Sequence, residues 1–173
     1  MILSPGGVKR GRFVTFEGGE GSGKSTQIRR LAALLEQNGQ AVLTTREPGG
    51  SPTGEKIRGL LLDPAANLDA MTQILLFCAA RRDHVVALIA PALAYGQWVL
   101  CDRFADSTRA YQGAAGHIDR ELVATLEKAA IGETIPDLTI ILDIAPEKGL
   151  ARANRRRGEG SAVDAFEASD LAF

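Results

Sequence analysis

At 173 residues the chain is long enough for one domain with a sizeable core, and 45% hydrophobic with 24% charged residues is the balance of a folded globular protein. A net charge of −1 gives no global electrostatic case for nucleic acid or for a membrane surface, so any basic site has to be local. Cys78 and Cys101 form no metal-type pair and each sits in an apolar run, which predicts buried free thiols and suits a reducing, cytoplasmic compartment.

Residues 1–11 carry Pro5, Gly6, Gly7 and the basic pair Lys9 and Arg10, and are expected to be a mobile lead-in. They hold no long apolar stretch with a small-residue cleavage pattern, so no signal peptide is expected. An apolar run over 13–16 reads as a buried strand. It leads into Gly18-x-x-x-x-Gly23-Lys24-Ser25, and a helical pattern over 24–38 follows, with Ile28, Leu31 and Leu35 on one face and Gly39 as its stop. Strand, glycine loop, helix is the context that makes this pattern a phosphate-binding loop. Gly18, Gly19, Glu20, Gly21, Ser22, Gly23, Lys24, Ser25 and Thr26 are the candidate ATP-binding residues. Glycines let backbone N–H groups approach phosphate oxygens, and the helix N-terminus aims its positive end at them. Lys24 would reach the β- and γ-phosphates, and Ser25 would offer its hydroxyl to Mg²⁺.

A second strand is expected over 41–45, then a loop over 46–50 (Arg-Glu-Pro-Gly-Gly), then a short helix over 54–62. A long helical pattern occupies 69–89, kinked or broken near Pro91. The uncharged run 85–101 is the one membrane candidate, but Pro91, Gly96 and Gln97 interrupt it, and it reads better as a helix end, a turn and a strand. That strand, over 98–101, ends in Asp102-Arg103. A mobile, glycine-bearing segment is expected through 112–116. Asp119 can cap a helix to about 130 with Leu122, Val123 and Leu126 inward. The run 138–144 reads as a continuous apolar strand with Asp143 near its end, and Pro146 opens a helix that runs into Arg155-Arg156-Arg157. The tail 159–173 starts a new helical pattern.

Strands alternate with helices, and most are apolar throughout, which predicts an α/β fold with a parallel sheet covered by helices on both faces. Ligands of such sheets lie at the carboxyl ends of the strands. Glu17, Arg46, Asp102 and Asp143 all fall there, so four strands send polar groups to one rim. Asp102 stands where a P-loop protein keeps the acid that holds Mg²⁺; a salt bridge to a core arginine such as Arg103 is the alternative. Arg103 and Arg46 could instead clamp a second phosphate. Phe77 and Arg81 share a helix face, so one could stack on a base while the other donates to its edge, although Phe77 taken alone reads more readily as core. Tyr111 is similarly ambiguous. Arg152, Arg155 and Arg156 line one helix face next to Gly158 and Gly160. They form either a solvated basic face or a lid bringing cations to a transferring phosphoryl group.

With these residues in place the chain closely resembles the bacterial thymidylate kinases. The matching features are the 16–26 loop, the 46–50 loop, Leu76-Phe-Cys-Ala-Ala-Arg81, Asp102-Arg-Phe104 with Ser107, and Ala110-Tyr-Gln-Gly113. The resemblance implies a three-layer P-loop NTPase fold and transfer of a phosphoryl group from ATP to dTMP with Mg²⁺. It implies that Phe77 stacks on thymine, Arg81 bonds its O4, Thr108 contacts the base edge and Tyr111 crowds the sugar 2′ position. Arg46 and Arg103 would hold the dTMP phosphate, with Glu17, Ser107 and Gln112 completing that site. Glu20 would lie near the acceptor sugar and Arg103, and a lid arginine (Arg152, Arg155 or Arg156) would act in catalysis with Lys24. Ser25 and Asp102 would hold the metal. The resemblance further implies a homodimer paired through long helices, one domain over 1–173 with a lid near 146–163, and absence of the usual C-terminal helix and strand. A deoxynucleoside kinase and a non-catalytic nucleotide-binding protein are the competing readings.

Overall fold

The computed structural model describes residues 9–157, leaving out the side chains of Arg156 and Arg157. Four strands, β1 (Phe13–Glu17), β2 (Val42–Arg46), β3 (Trp98–Asp102) and β4 (Leu138–Ile141), form one sheet in the order β2-β3-β1-β4, with every pairing parallel. Helices α1 (Lys24–Gln37), α2 (Pro52–Leu62), α3 (Ala70–His84), α4 (Ala90–Ala94), α5 (Ala105–Thr108), α6 (Arg120–Ile131) and α7 (Pro146–Arg157) connect and cover it.

The apolar strands divide their side chains between two cores because successive residues point to opposite faces. Val14, Phe16 and Leu100 pack with Ile28 and Ala32 of α1. Phe13, Val99 and Cys101 pack on the other face with Val85, Ile89, Leu93 and Phe104. Both faces are therefore covered, as the continuous apolar runs predict. A third cluster, Ile74, Cys78, Val123 and Ala130, joins α3 to α6. Cys78 and Cys101 are free and buried, and burial pushes both thiols above their usual value.

Several expectations need correction. The lead-in is anchored at its end: Gly11 N–H donates to Leu93 O, and Arg10 pairs with Asp137. Residues 1–8 lie outside the described residues, as do Gly158, Gly160 and the 159–173 tail. The long helical pattern does not break at Pro91. A π turn over Val85–Ile89 precedes it, in which Ala90 N–H donates to Val85 O, and the wider turn lets the chain run on into α4. Segment 112–116 is not a mobile loop. A second π turn spans Arg109–Ala115, and Gln112 and Gly113 are buried. Asp119 caps α6 as expected, but Leu122 is exposed while Val123 faces the core. The 138–144 strand is shorter than its apolar run, and its end residues Leu138 and Ile141 are exposed; among the described residues β4 has a partner on one side only. Among the described residues no helix is long and apolar enough to cross a membrane.

The strand ends are joined in one row. Glu47 N–H donates to Asp102 O, Arg103 N–H to Phe16 O and Leu142 N–H to Glu17 O. Arg46 pairs in register with Asp102, and Asp102 with Phe16, so the polar residues that end β1, β2 and β3 meet at one rim.

Candidate active site

The glycine loop 18–23 connects β1 to α1. Gly23 is the N-cap of α1 with φ of 100°, and the N–H groups of Thr26 and Gln27 fold back to its carbonyl. Lys24, the first helical residue, is buried and donates to the carbonyls of Gly18 (2.9 Å) and Gly19 (3.1 Å). Burial lowers its pKa, and the charge of Arg103 lowers it further against the pull of Asp102, Glu20 and Glu17. Two cations thus converge on the rim. Ser22 Oγ is buried without a hydrogen-bond partner. Ser25 Oγ donates to Asp102 Oδ2 at 2.9 Å, which brings the two residues assigned to the metal into contact. Asp102 does not pair with a core arginine.

The loop packs directly against α7. A Cβ at Gly21 (φ +70°) would lie 2.1 Å from Gly149 O, and a Cβ at Gly149 would lie 2.5 Å from Glu20 O. Arg152 and Arg155 are exposed on α7, and Arg152 lies one turn beyond Gly149.

Arg103 has φ of 68°, donates to Ser107 Oγ at 3.2 Å and lies over the Tyr111 ring at 5.4 Å. Glu17 accepts from Phe104 N–H and Ser107 Oγ, both at 2.7 Å. Burial raises its pKa, and these two hydrogen bonds with the nearby Arg103 offset only part of that rise. Glu17 therefore holds the segment that carries Arg103 and Ser107. Arg46, at the end of β2, is held by both oxygens of Glu55 at 3.0 Å, and Glu55 also accepts from Gly50 N–H.

Arg81 is the largest fully buried side chain described. Its Nε donates to Glu47 Oε2 at 2.7 Å, and its Nη2 donates to Phe104 O and Thr108 Oγ1 at 3.1 and 3.0 Å. Burial works against its charge, but Glu47 outweighs burial and lifts its pKa above the usual value. Nη1 is buried without a partner. Among the described residues, the unpartnered buried side-chain atoms are Arg81 Nη1 and Ser22 Oγ, one in each half of the candidate site. Phe77 is half-buried one turn before Arg81, while Thr108 and Gln112 are buried and Tyr111 is half-buried.

The family described as thymidylate kinase matches residues 16–171. The chain belongs to the thymidylate kinase family. The thymidylate kinase of Bradyrhizobium sp. (strain BTAi1) is 56% identical over 168 residues, covering 96% of this chain and 74% of that protein. That of Nitrobacter winogradskyi is 57% identical over 166 residues, covering 95% and 72%. The crystal structure of thymidylate kinase from Ehrlichia chaffeensis superposes with a TM-score of 0.72 at 41% identity, covering 83% of this chain and 77% of that one. The expected family and α/β P-loop fold both stand, and the chain is a kinase of that family.

Sequence reasoning missed Glu47, His84, Glu55 and Gly149. His84 is three residues from Arg81, so the two share a helix face, which was a readable signal. Gly149 stands inside a helical pattern, which commonly marks a close approach. Glu55 gave no signal, since its role depends on how α2 folds back on the 46–50 loop.

Proposed function

We propose that the chain transfers the γ-phosphoryl group of ATP to the 5′-phosphate of dTMP, giving dTDP and ADP, as a step in dTTP synthesis. An oxygen of the dTMP phosphate attacks the γ-phosphorus, the bond to the β-phosphate bridging oxygen breaks, and ADP leaves. Backbone N–H groups of 18–26 and the α1 N-terminus cradle the donor phosphates, with Lys24 on the β- and γ-phosphates. Arg46 and Arg103 hold the acceptor phosphate. Phe77 stacks on the base, Arg81 donates through Nη1 to an acceptor at the pyrimidine 4-position, and Thr108, Tyr111 and Gln112 shape the rest of the nucleoside site. Glu17 and Ser107 orient Arg103. Glu20 stands toward the acceptor sugar, and Arg152, Arg155 or Arg156 supplies charge to the transferring group.

The oxygen donors of Ser25 and Asp102, in mutual contact, suit a hard divalent cation, so these residues would hold Mg²⁺. Bound there, Mg²⁺ would neutralise phosphate charge as it builds. What carries the reading is the convergence of Arg103 and Lys24, close enough for one charge to depress the other's pKa. Such a pair suits two phosphate groups meeting between them.

The same reading takes 1–173 as one kinase domain with a lid over 146–163, of which only the part to 157 lies within the described residues. It takes the protein as a cytoplasmic homodimer that engages neither nucleic acid nor membrane. Exposed Leu60, Met71, Leu75 and Val86 on and beside α3 support pairing through that helix. ADP release measured with dTMP, dUMP, dCMP, AMP and thymidine tests the assignment. Turnover with dTMP well above the others is the expected outcome. Turnover with thymidine alone would make the protein a deoxynucleoside kinase, and binding without turnover would remove catalysis.

A further inference from the structure

Behind Arg81 runs a buried chain of hydrogen bonds that the reaction itself does not use. His84 Nδ1 meets Glu47 Oε1 at 3.0 Å, and its Nε2 meets Thr45 Oγ1 at 2.8 Å. The His84 ring is 0% exposed and the Glu47 side chain 4%. A carboxylate can only accept, so Nδ1 carries the hydrogen that points to Glu47. Gly50 presses on the far side of the ring, where a Cβ would lie 2.3 Å from Nε2. The ring is thus held by β2, by the 46–50 loop and by its own helix.

We propose that His84 is a positioning residue for base recognition: it fixes the Glu47 carboxylate, which fixes the direction of the Arg81 guanidinium. The inference rests on Arg81 reading the base. The terminal carboxylate torsion of a glutamate is broad, so one bond from Arg81 leaves Glu47 free to swing. A second bond on its other oxygen leaves one orientation. Glu47 then holds Nε, Phe104 O and Thr108 hold Nη2, and the one remaining arm, Nη1, is aimed. That arm can only donate. A pyrimidine with a carbonyl at position 4 meets it, and one with an amino group there does not. Loosening the carboxylate blurs the distinction without touching the ATP site.

Two substitutions separate this role from simple core packing. H84N places an amide N–H where Nδ1 stood and keeps the bond to Glu47. H84Q reaches toward Thr45 and leaves Glu47 Oε1 unmet. In the full chain, H84Q is expected to raise the KM for dTMP about tenfold and to reduce the preference for dTMP over dCMP by about as much, with the KM for ATP unchanged. H84N is expected to keep all three near wild type. Equal behaviour of the two variants overturns the proposal. Should H84Q not fold, T45V decides by the same readout: a raised KM for dTMP alone supports the proposal, and an unchanged one overturns it. R81K is the control. If it leaves the dTMP preference intact, Arg81 does not read the base and the proposal falls with that assignment. If it abolishes the preference while H84Q and H84N match, only the role of His84 is lost.

Discussion

The contact between the glycine loop and α7 gives the sharpest structural prediction. A Cβ at Gly149 would lie 2.5 Å from Glu20 O, where ordinary contact begins near 3.4 Å, and its obstacle is backbone rather than a flexible side chain. Gly149→Ala therefore forces the loop and the helix apart by roughly 0.9 Å. A displacement of about 1 Å at a reacting centre can cost on the order of a hundredfold in rate. The shift is shared between two elements, so a fall in kcat of between about tenfold and hundredfold is expected. Alanine is the better helix former by about 1 kcal/mol, which offsets strain, so the melting temperature should change little. Apart from Glu20, the residues proposed to hold the acceptor lie on other elements, so the KM for dTMP should stay within about twofold. Steady-state kinetics with each substrate varied in turn, alongside thermal unfolding, measure all three. Wild-type kcat with an unchanged KM for ATP would refute the idea that this contact sets the distance between the loop and α7.

Asp102→Asn removes a charged oxygen from the contact with Ser25. It should lower kcat on the order of a hundredfold and steepen the Mg²⁺ requirement, with dTMP affinity preserved in calorimetric titration. Arg103→Ala should weaken dTMP binding severely and leave ATP binding nearly intact; equal loss of both would remove its assignment to the acceptor phosphate. Asp137 ties the amino ends of β1 and β4. Burial alone would raise its pKa, but the Phe13 N–H with Arg10 and Arg12 brings it from 3.8 down to about 2. A depressed carboxyl stabilises the fold above its unfolded pKa and loses that contribution as pH falls through its folded value. Asp137→Asn should therefore cost about 1 kcal/mol at neutral pH in urea unfolding, and the gap to wild type should close between pH 3.8 and about 2.

The sheet and the glycine loop were readable because their signals are local. An apolar run followed by a fixed glycine spacing specifies strand, turn and helix within a dozen or so residues. The rim could be read as well, since a parallel sheet sends every strand end to the same side, and Glu17, Arg46 and Asp102 came together there. What escaped depends on registers the sequence does not print. Pro91 looked like a helix end, and only the preceding π turn lets the helix continue. Gly113 and Gly116 suggested a loose segment, yet the 109–115 turn packs against α6 with Gly113 facing Val123. Arg81 was chosen for what it could give a base. Nothing in its neighbourhood along the chain showed that Glu47, Phe104 and Thr108 would occupy all but one of its arms.

The most direct test of the account is a crystal structure with dTMP and ADP bound together. The account predicts the dTMP phosphate within hydrogen-bonding reach of both Arg46 and Arg103, its ring against Phe77 and its 4-carbonyl on Arg81 Nη1. A dTMP phosphate away from the two arginines, or a base turned from Arg81, would contradict it.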